Sequence, residues 1–151
     1  MQTLQDLKLE RLDLYLIHWP VSQRHGIKIA KEANEQISRT ELPLSETWKA
    51  MEALVKEGLI REIGVFNFSS NKLHALMKSA TIQPCMNQVE RHPYLQQTSL
   101  VSTCEQSKIA ITAYSPLGSG GSNNLNLLQE PLIQDISGQY NCAPAQVLLA
   151  W

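Results

Sequence analysis

Apolar residues in this chain fall into short dense runs, separated by longer stretches in which they recur at helical spacing. The first run is residues 12–19, LDLYLIHW. Its nearly unbroken hydrophobicity predicts a strand of a parallel sheet covered on both faces. Strand alternation places Leu14, Leu16 and His18 on one side of it. Pro20 ends the run, because it has no amide to give a neighbouring strand. Residues 20–43 are polar and follow neither period, which predicts an irregular segment. One that long is uncommon inside a compact domain and is often functional. Ser45 then caps a helix whose inner face is Thr47, Met51, Leu54 and Val55, and Gly58 stands where a left-handed C-cap belongs.

The same unit recurs along the chain. Residues 60–66 (IREIGVF) form a second run, followed by a helix capped by Ser69 or Ser70 with Leu73, Leu76 and Met77 inward. Residues 86–89 are a short strand, and 98–106 a helix turning Leu100, Val101 and Cys104 inward. Residues 109–114 (IAITAY) are a fourth strand, followed by the turn-rich SPLGSGGSNN. Pro131 opens a helix with Leu132, Ile133, Ile136 and Tyr140 on its face, and Pro144 opens a last short one. Four strands alternating with helices predict βαβ units, right-handed crossovers and a parallel sheet. A Rossmann-like sheet and a (β/α)8 barrel both satisfy this pattern. No GxGxxG follows any strand, which counts against the former.

Composition narrows the classes of function. Lys and Arg number 13 against 14 Asp and Glu, a net charge of −1, so no electrostatic footprint for nucleic acid is present. No apolar stretch reaches the ~20 residues of a membrane helix. The N-terminus lacks a basic segment followed by an apolar run, so it does not read as a signal peptide, and the default setting is cytoplasmic. Cys85, Cys104 and Cys142 are odd in number and form no CxxC pair, which reads as reduced thiols rather than a disulfide framework or a metal site.

Candidate chemistry gathers at the C-terminal ends of the four strands: His18 with Trp19, Asn67, Gln88 with Glu90, and Tyr114 with Ser115. In parallel α/β architectures that rim is where ligands bind. Taken singly, each residue also has an ordinary structural reading. A strand-end histidine often only hydrogen-bonds, an asparagine can serve a turn, a glutamine can satisfy backbone groups, and a tyrosine can be core. His25 lies in a polar loop and His74 on an exposed helix position. His92, before Pro93, reads as structural, and Glu90 is left unassigned.

Five segments, LDLYLIHWP, GLIREIGVFNFS, MNQVERHPYLQQ, ITAYSPLGS and APAQVLLAW, together resemble the aldo-keto reductase family in order and in approximate spacing. The resemblance implies a partial (β/α)8 TIM barrel of about four βα units, the family's strands four to seven, with residues 1–151 forming one partial domain. It implies NADPH as cofactor, a small carbonyl substrate reduced to an alcohol, and no metal. His18 matches the family's catalytic histidine, which orients the substrate carbonyl, and Trp19 matches a wall of the substrate pocket. Asn67 and Gln88 match the pair that hydrogen-bonds the nicotinamide carboxamide. Tyr114 matches the ring that stacks on the nicotinamide. Ser115, Leu117 and Ser119 match the loop along the pyrophosphate, where Gly118, Gly120 and Gly121 would allow close backbone approach.

Two departures from the family pattern stand out. Phe66 occupies the place of a serine that also bonds the carboxamide, and a lost hydrogen bond of this kind costs about 0.5–1.5 kcal/mol. The tyrosine, lysine and aspartate that handle the proton fall on strands upstream of these residues, so the expectation is a chain without turnover of its own. Tyr15, three residues from His18, points to the other face of its strand and cannot substitute. The alternative is a non-catalytic nucleotide-binding or regulatory remnant of the same fold. Four strands cannot close a barrel, so their open edges predict self-association.

Overall fold

The computed structural model describes residues 2–24, 26, 32, 36–38, 40–118 and 126–151. In chain order its elements are helix α1 (Gln2–Leu7), strands β1 (Leu12–Ile17), β2 (Ser22–Gln23) and β3 (Gln36–Ile37), helix α2 (Leu44–Lys56), strand β4 (Ile60–Phe66), helix α3 (Ser70–Met77), strand β5 (Met86–Glu90), helix α4 (Thr98–Gln106), strand β6 (Ala110–Tyr114), and helices α5 (Pro131–Tyr140) and α6 (Pro144–Ala150). A 3-10 turn, Leu127–Gln129, precedes α5.

The main sheet has the order β1-β4-β5-β6, every pair parallel. Each neighbouring pair is joined by one helix, so the sheet grows in chain order and never reverses. A doubly wound sheet needs a reversal, and a barrel does not. The open choice between those folds is thereby resolved in favour of a partial barrel. The short β2–β3 ribbon is antiparallel and separate.

Alternation gives the sheet two unlike faces. Tyr15, Ile17, Ile63, Val65, Val89 and Ile111 pack with Trp48, Met51, Leu73, Leu76, Leu100 and Cys104 in one core. Leu14, Leu16, Gly64, Phe66, Met86, Gln88, Thr112 and Tyr114 alternate with residues of that core and share the opposite face, as the register Phe66↔Gln88↔Thr112 shows. A Cβ on Gly64 would lie 2.7 Å from both the Leu16 Cδ2 and the Met86 carbonyl oxygen, so only glycine lets the three strands approach there.

Polar side chains buried on the helix side brace the segment that leads into β5 and the one that leaves β4. The Glu52 carboxylate on α2 accepts from the Thr81 and Ile82 amides at 2.7 and 2.9 Å, and the Trp48 indole donates to the Ile82 carbonyl at 2.9 Å. Asn87, 0% exposed, donates from Nδ2 to the Phe68 carbonyl at 2.9 Å and accepts the Phe68 amide at 3.4 Å. At the other end of the chain, the Arg91 guanidinium lies 4.4 Å from the centre of the Trp151 ring.

Several expectations need correction. Ser45 lies inside α2; the cap position is Pro43, whose φ of −61° and ψ of 143° already leave the chain extended for helix entry. Leu132 and Tyr140, expected inward on α5, are 68% and 76% exposed. The described partners of α5 are α6 and the 3-10 turn, so only a narrow strip is covered. Ser137 is buried in that strip and donates to the Cys142 carbonyl. The segment 20–43, read as irregular, contains the β2–β3 ribbon. Helix α1, too short for periodicity to register, was not anticipated.

Candidate functional site

At their C-terminal ends the four main strands bring the expected residues together on one rim. β1 delivers His18 and Trp19 immediately after Ile17, both exposed. β4 delivers Phe66 and then Asn67, whose φ of 60° turns the chain sharply off the sheet. Asparagine tolerates that left-handed region better than other residues with a Cβ. The Asn67 amide donates to the Gln88 carbonyl at 2.9 Å, which ties this elbow to β5. β6 ends at Tyr114, paired with Glu90.

The rings form one continuous cluster. The Phe66 ring stacks on Tyr114 at 5.0 Å and 12°, and the His18 ring meets Phe66 edge-on at 4.9 Å and 83°. Trp19 lies 6.4 Å from Phe66 and 6.2 Å from His18. These separations are those of favourable aromatic pairs. An open cleft of about 300 Å³ beside them is lined by Ile17, His18, Trp19, Val21 and Gln23. A larger hollow of about 390 Å³ lies behind the β2–β3 ribbon, and none of the four rings lines it.

The polar groups around the cluster are unequal. The Asn67 Nδ2 is buried and makes no hydrogen bond of acceptable geometry. Buried donors almost always find partners, so this one is conspicuous. Burial pushes the Tyr114 phenol above its ordinary value; the Glu90 carboxylate adds to that, and hydrogen bonding from the Asn67 side-chain amide, though poorly aligned, opposes both. Glu90 itself is engaged with the buried His92, Nε2 to Oε1 at 3.1 Å. The Gln97 amide donates to the Glu90 carbonyl at 3.2 Å.

Beyond β6, Ser115 adopts φ 48° and Gly118 φ 74°, and the Gly118 amide closes a turn on the Ser115 carbonyl at 2.9 Å. Leu117 sits half-buried in that turn. Ser119, Gly120 and Gly121 lie outside the described residues, as does His25. Tyr15 packs into the core on the helix side, away from His18. Sequence reasoning did not foresee the ring stack, because spacing along one strand says nothing about a side chain two strands away. Asn87 as a brace was missed as well; its only signal was a polar residue at a core-facing strand position. Among the described residues, no group of three or more His, Cys, Asp or Glu could hold a metal ion, and no helix is long and apolar enough to cross a membrane.

A singly wound parallel β/α sheet with polar and aromatic side chains collected at its C-terminal strand ends has the architecture of ligand-binding β/α barrels. The chain belongs to the Aldo/keto reductase family, whose profile matches residues 1–151. It is 44% identical to the aldo-keto reductase family 1 member A1 of Sus scrofa and 45% identical to the aldo/keto reductase slr0942 of Synechocystis, each over 99% of this chain. It covers 48% of each of them, so the chain spans about half the length of the curated relatives it matches. The aldose reductase structure from Schistosoma japonicum matches with a TM-score of 0.86 at 37% identity, covering 98% of this chain and 47% of that one. The aldose reductase structure from Giardia lamblia matches at 0.88 and 36%, covering 99% and 50%.

Proposed function

We propose that this chain carries the histidine side of an oxidoreductase site that reduces aldehydes or ketones to alcohols with NADPH. The observation that carries the reading is the convergence of His18, Asn67, Gln88 and Tyr114 at one end of a parallel sheet in a member of this family. In this reading the His18 imidazole donates a hydrogen bond to the substrate carbonyl oxygen as negative charge grows there, and Trp19 walls the substrate. Ser115, Leu117 and Ser119 follow the pyrophosphate.

The residues meet the nicotinamide group unevenly. The buried Asn67 Nδ2 suits the carboxamide oxygen, on an elbow that the Gln88 carbonyl ties to β5. The ring itself does not fit, because Phe66 lies on Tyr114 where a flat ring would stack. The tyrosine acid, its lysine and its aspartate are not assigned to this chain: Tyr15 faces the core, Tyr94 lies in an exposed loop and Tyr140 on an exposed helix face.

Titrating the purified chain with NADPH, beside an NADPH-dependent assay on a generic aldehyde, tests this. Weak saturable binding without turnover is expected. Turnover would show that a proton donor is present after all. Failure to bind NADPH at all would favour a remnant that neither turns over nor binds the nucleotide, to which the Phe66–Tyr114 stack already lends weight.

A further inference from the structure

We propose that Phe66 is a built-in occupant of the nicotinamide slot, so that a planar ring reaches Tyr114 only by displacing it. The inference rests on the cofactor reading above and deepens it. Asn67 follows β4, Gln88 is on β5 and Tyr114 ends β6, so β5 separates the first from the last. A ligand ring that stacks on Tyr114 while its carboxamide meets Asn67 and Gln88 must lie on the side of Tyr114 that faces β4. Phe66 reaches across β5 to that side, with its centroid 5.0 Å from Tyr114 and the two planes 12° apart.

No third ring can slip between them. Stacked pairs need centroids about 4.5 Å apart at closest, so an inserted ring would need about 9 Å. Nor is Phe66 a free rotor. Its backbone is paired with Gln88, the His18 ring stands perpendicular to it at 4.9 Å, and Trp19 is 6.4 Å away. Displacing it breaks its ring contacts with Tyr114, His18 and Trp19. The Asn67 Nδ2, buried with no well-formed hydrogen bond and only the Tyr114 hydroxyl beside it, fits the same picture: the phenyl ring fills the slot but has no acceptor to offer that amide.

Two measurements on the full chain test the proposal. In the free protein, Tyr114 ring protons should resonate upfield of those of free tyrosine, from the ring current of Phe66; ordinary positions would overturn it. NADPH is then titrated into the wild type, Phe66→Ala and Phe66→Ser, following tryptophan fluorescence, with 2′,5′-ADP as a probe that lacks the nicotinamide. Both variants should tighten NADPH binding by about threefold to tenfold, the factor a lost aromatic stack represents, and leave the response to 2′,5′-ADP as in the wild type. NADPH affinity that stays equal or falls overturns the proposal while sparing the cofactor reading. NADPH binding by none of the three removes both. If either variant fails to melt cooperatively, the wild-type ring shifts decide.

Discussion

Single residues set the limits of this site. Gly64 sits where three strands approach within one side chain of each other, and one of the two atoms a Cβ would strike is a backbone oxygen, which cannot swing aside. Gly64→Ala should therefore cost about 1–3 kcal/mol, the range for overpacking, read as a lower urea midpoint at unchanged slope. Cys104 is fully buried, and burial raises its thiol above the ordinary 9.0, opposed only in part by Asn87. Iodoacetamide at neutral pH should label Cys142 in the folded chain and reach Cys104 only in urea. Rapid labelling of Cys104 without denaturant would contradict its placement. At this scale the sequence was partly legible. The positions of His18, Asn67, Gln88 and Tyr114 could be read from strand ends, because a strand's C-terminal end is a local property. Phe66 could be read only as a missing hydroxyl. Its stack depends on how far a phenyl reaches across a neighbouring strand, and no period along one chain segment encodes that distance.

Elements depend on contacts that are remote in sequence. Helix α2 was legible from its apolar period and from Gly58, whose φ of 75° makes the expected left-handed stop. Its true inner face, however, is centred on Trp48 and Glu52, and both reach residues about thirty positions onward. A buried carboxylate runs against hydrophobic patterning and makes sense only once the amides of Thr81 and Ile82 are in view. Glu52→Ala leaves those two donors unmet and should destabilise the chain by about 1–3 kcal/mol. Trp48→Phe, which loses one neutral hydrogen bond, should cost about 1 kcal/mol. Urea unfolding of the two variants should rank them in that order. The reverse ranking would mean that water satisfies the two amides. The α5 face was misjudged for a related reason: periodicity marks an apolar stripe, and how much of it is covered depends on what packs there.

At the scale of the molecule, the strand order β1-β4-β5-β6 leaves β1 and β6 each paired on one side only among the described residues. Unpaired edges beside apolar side chains invite further strand pairing. The 17.0 kDa chain on its own should elute as a larger species in size-exclusion chromatography with light scattering, and a monomer with a cooperative melt would refute this. Its stability should also respond to alkali. A thiol or phenol whose pKa is raised by folding favours the protonated, folded form, so that contribution is intact below the unfolded value and is lost as pH climbs through the folded one. Melting temperature should fall as pH rises past 9.0, the ordinary thiol value, with Cys104 leading and the Tyr114 phenol following. That the fold was a parallel β/α array was legible from alternation. That it was a barrel piece came from family likeness and then from the unreversed strand order.

The two-faced alternation of β4 and β5 has a consequence for how such a chain drifts under mutation. Val65, Asn87 and Val89 lie on the helix side, while Phe66, Gln88 and Glu90, one step away, lie on the opposite face, where the proposed site would be. Neighbouring codons are thus under separate constraints. A phenylalanine can replace a small polar residue on the ligand side while the core side keeps its packing, so folding gives no warning that recognition has changed. Lineages of this architecture can lose, dull or redirect a site in single steps and still pass every test of foldedness.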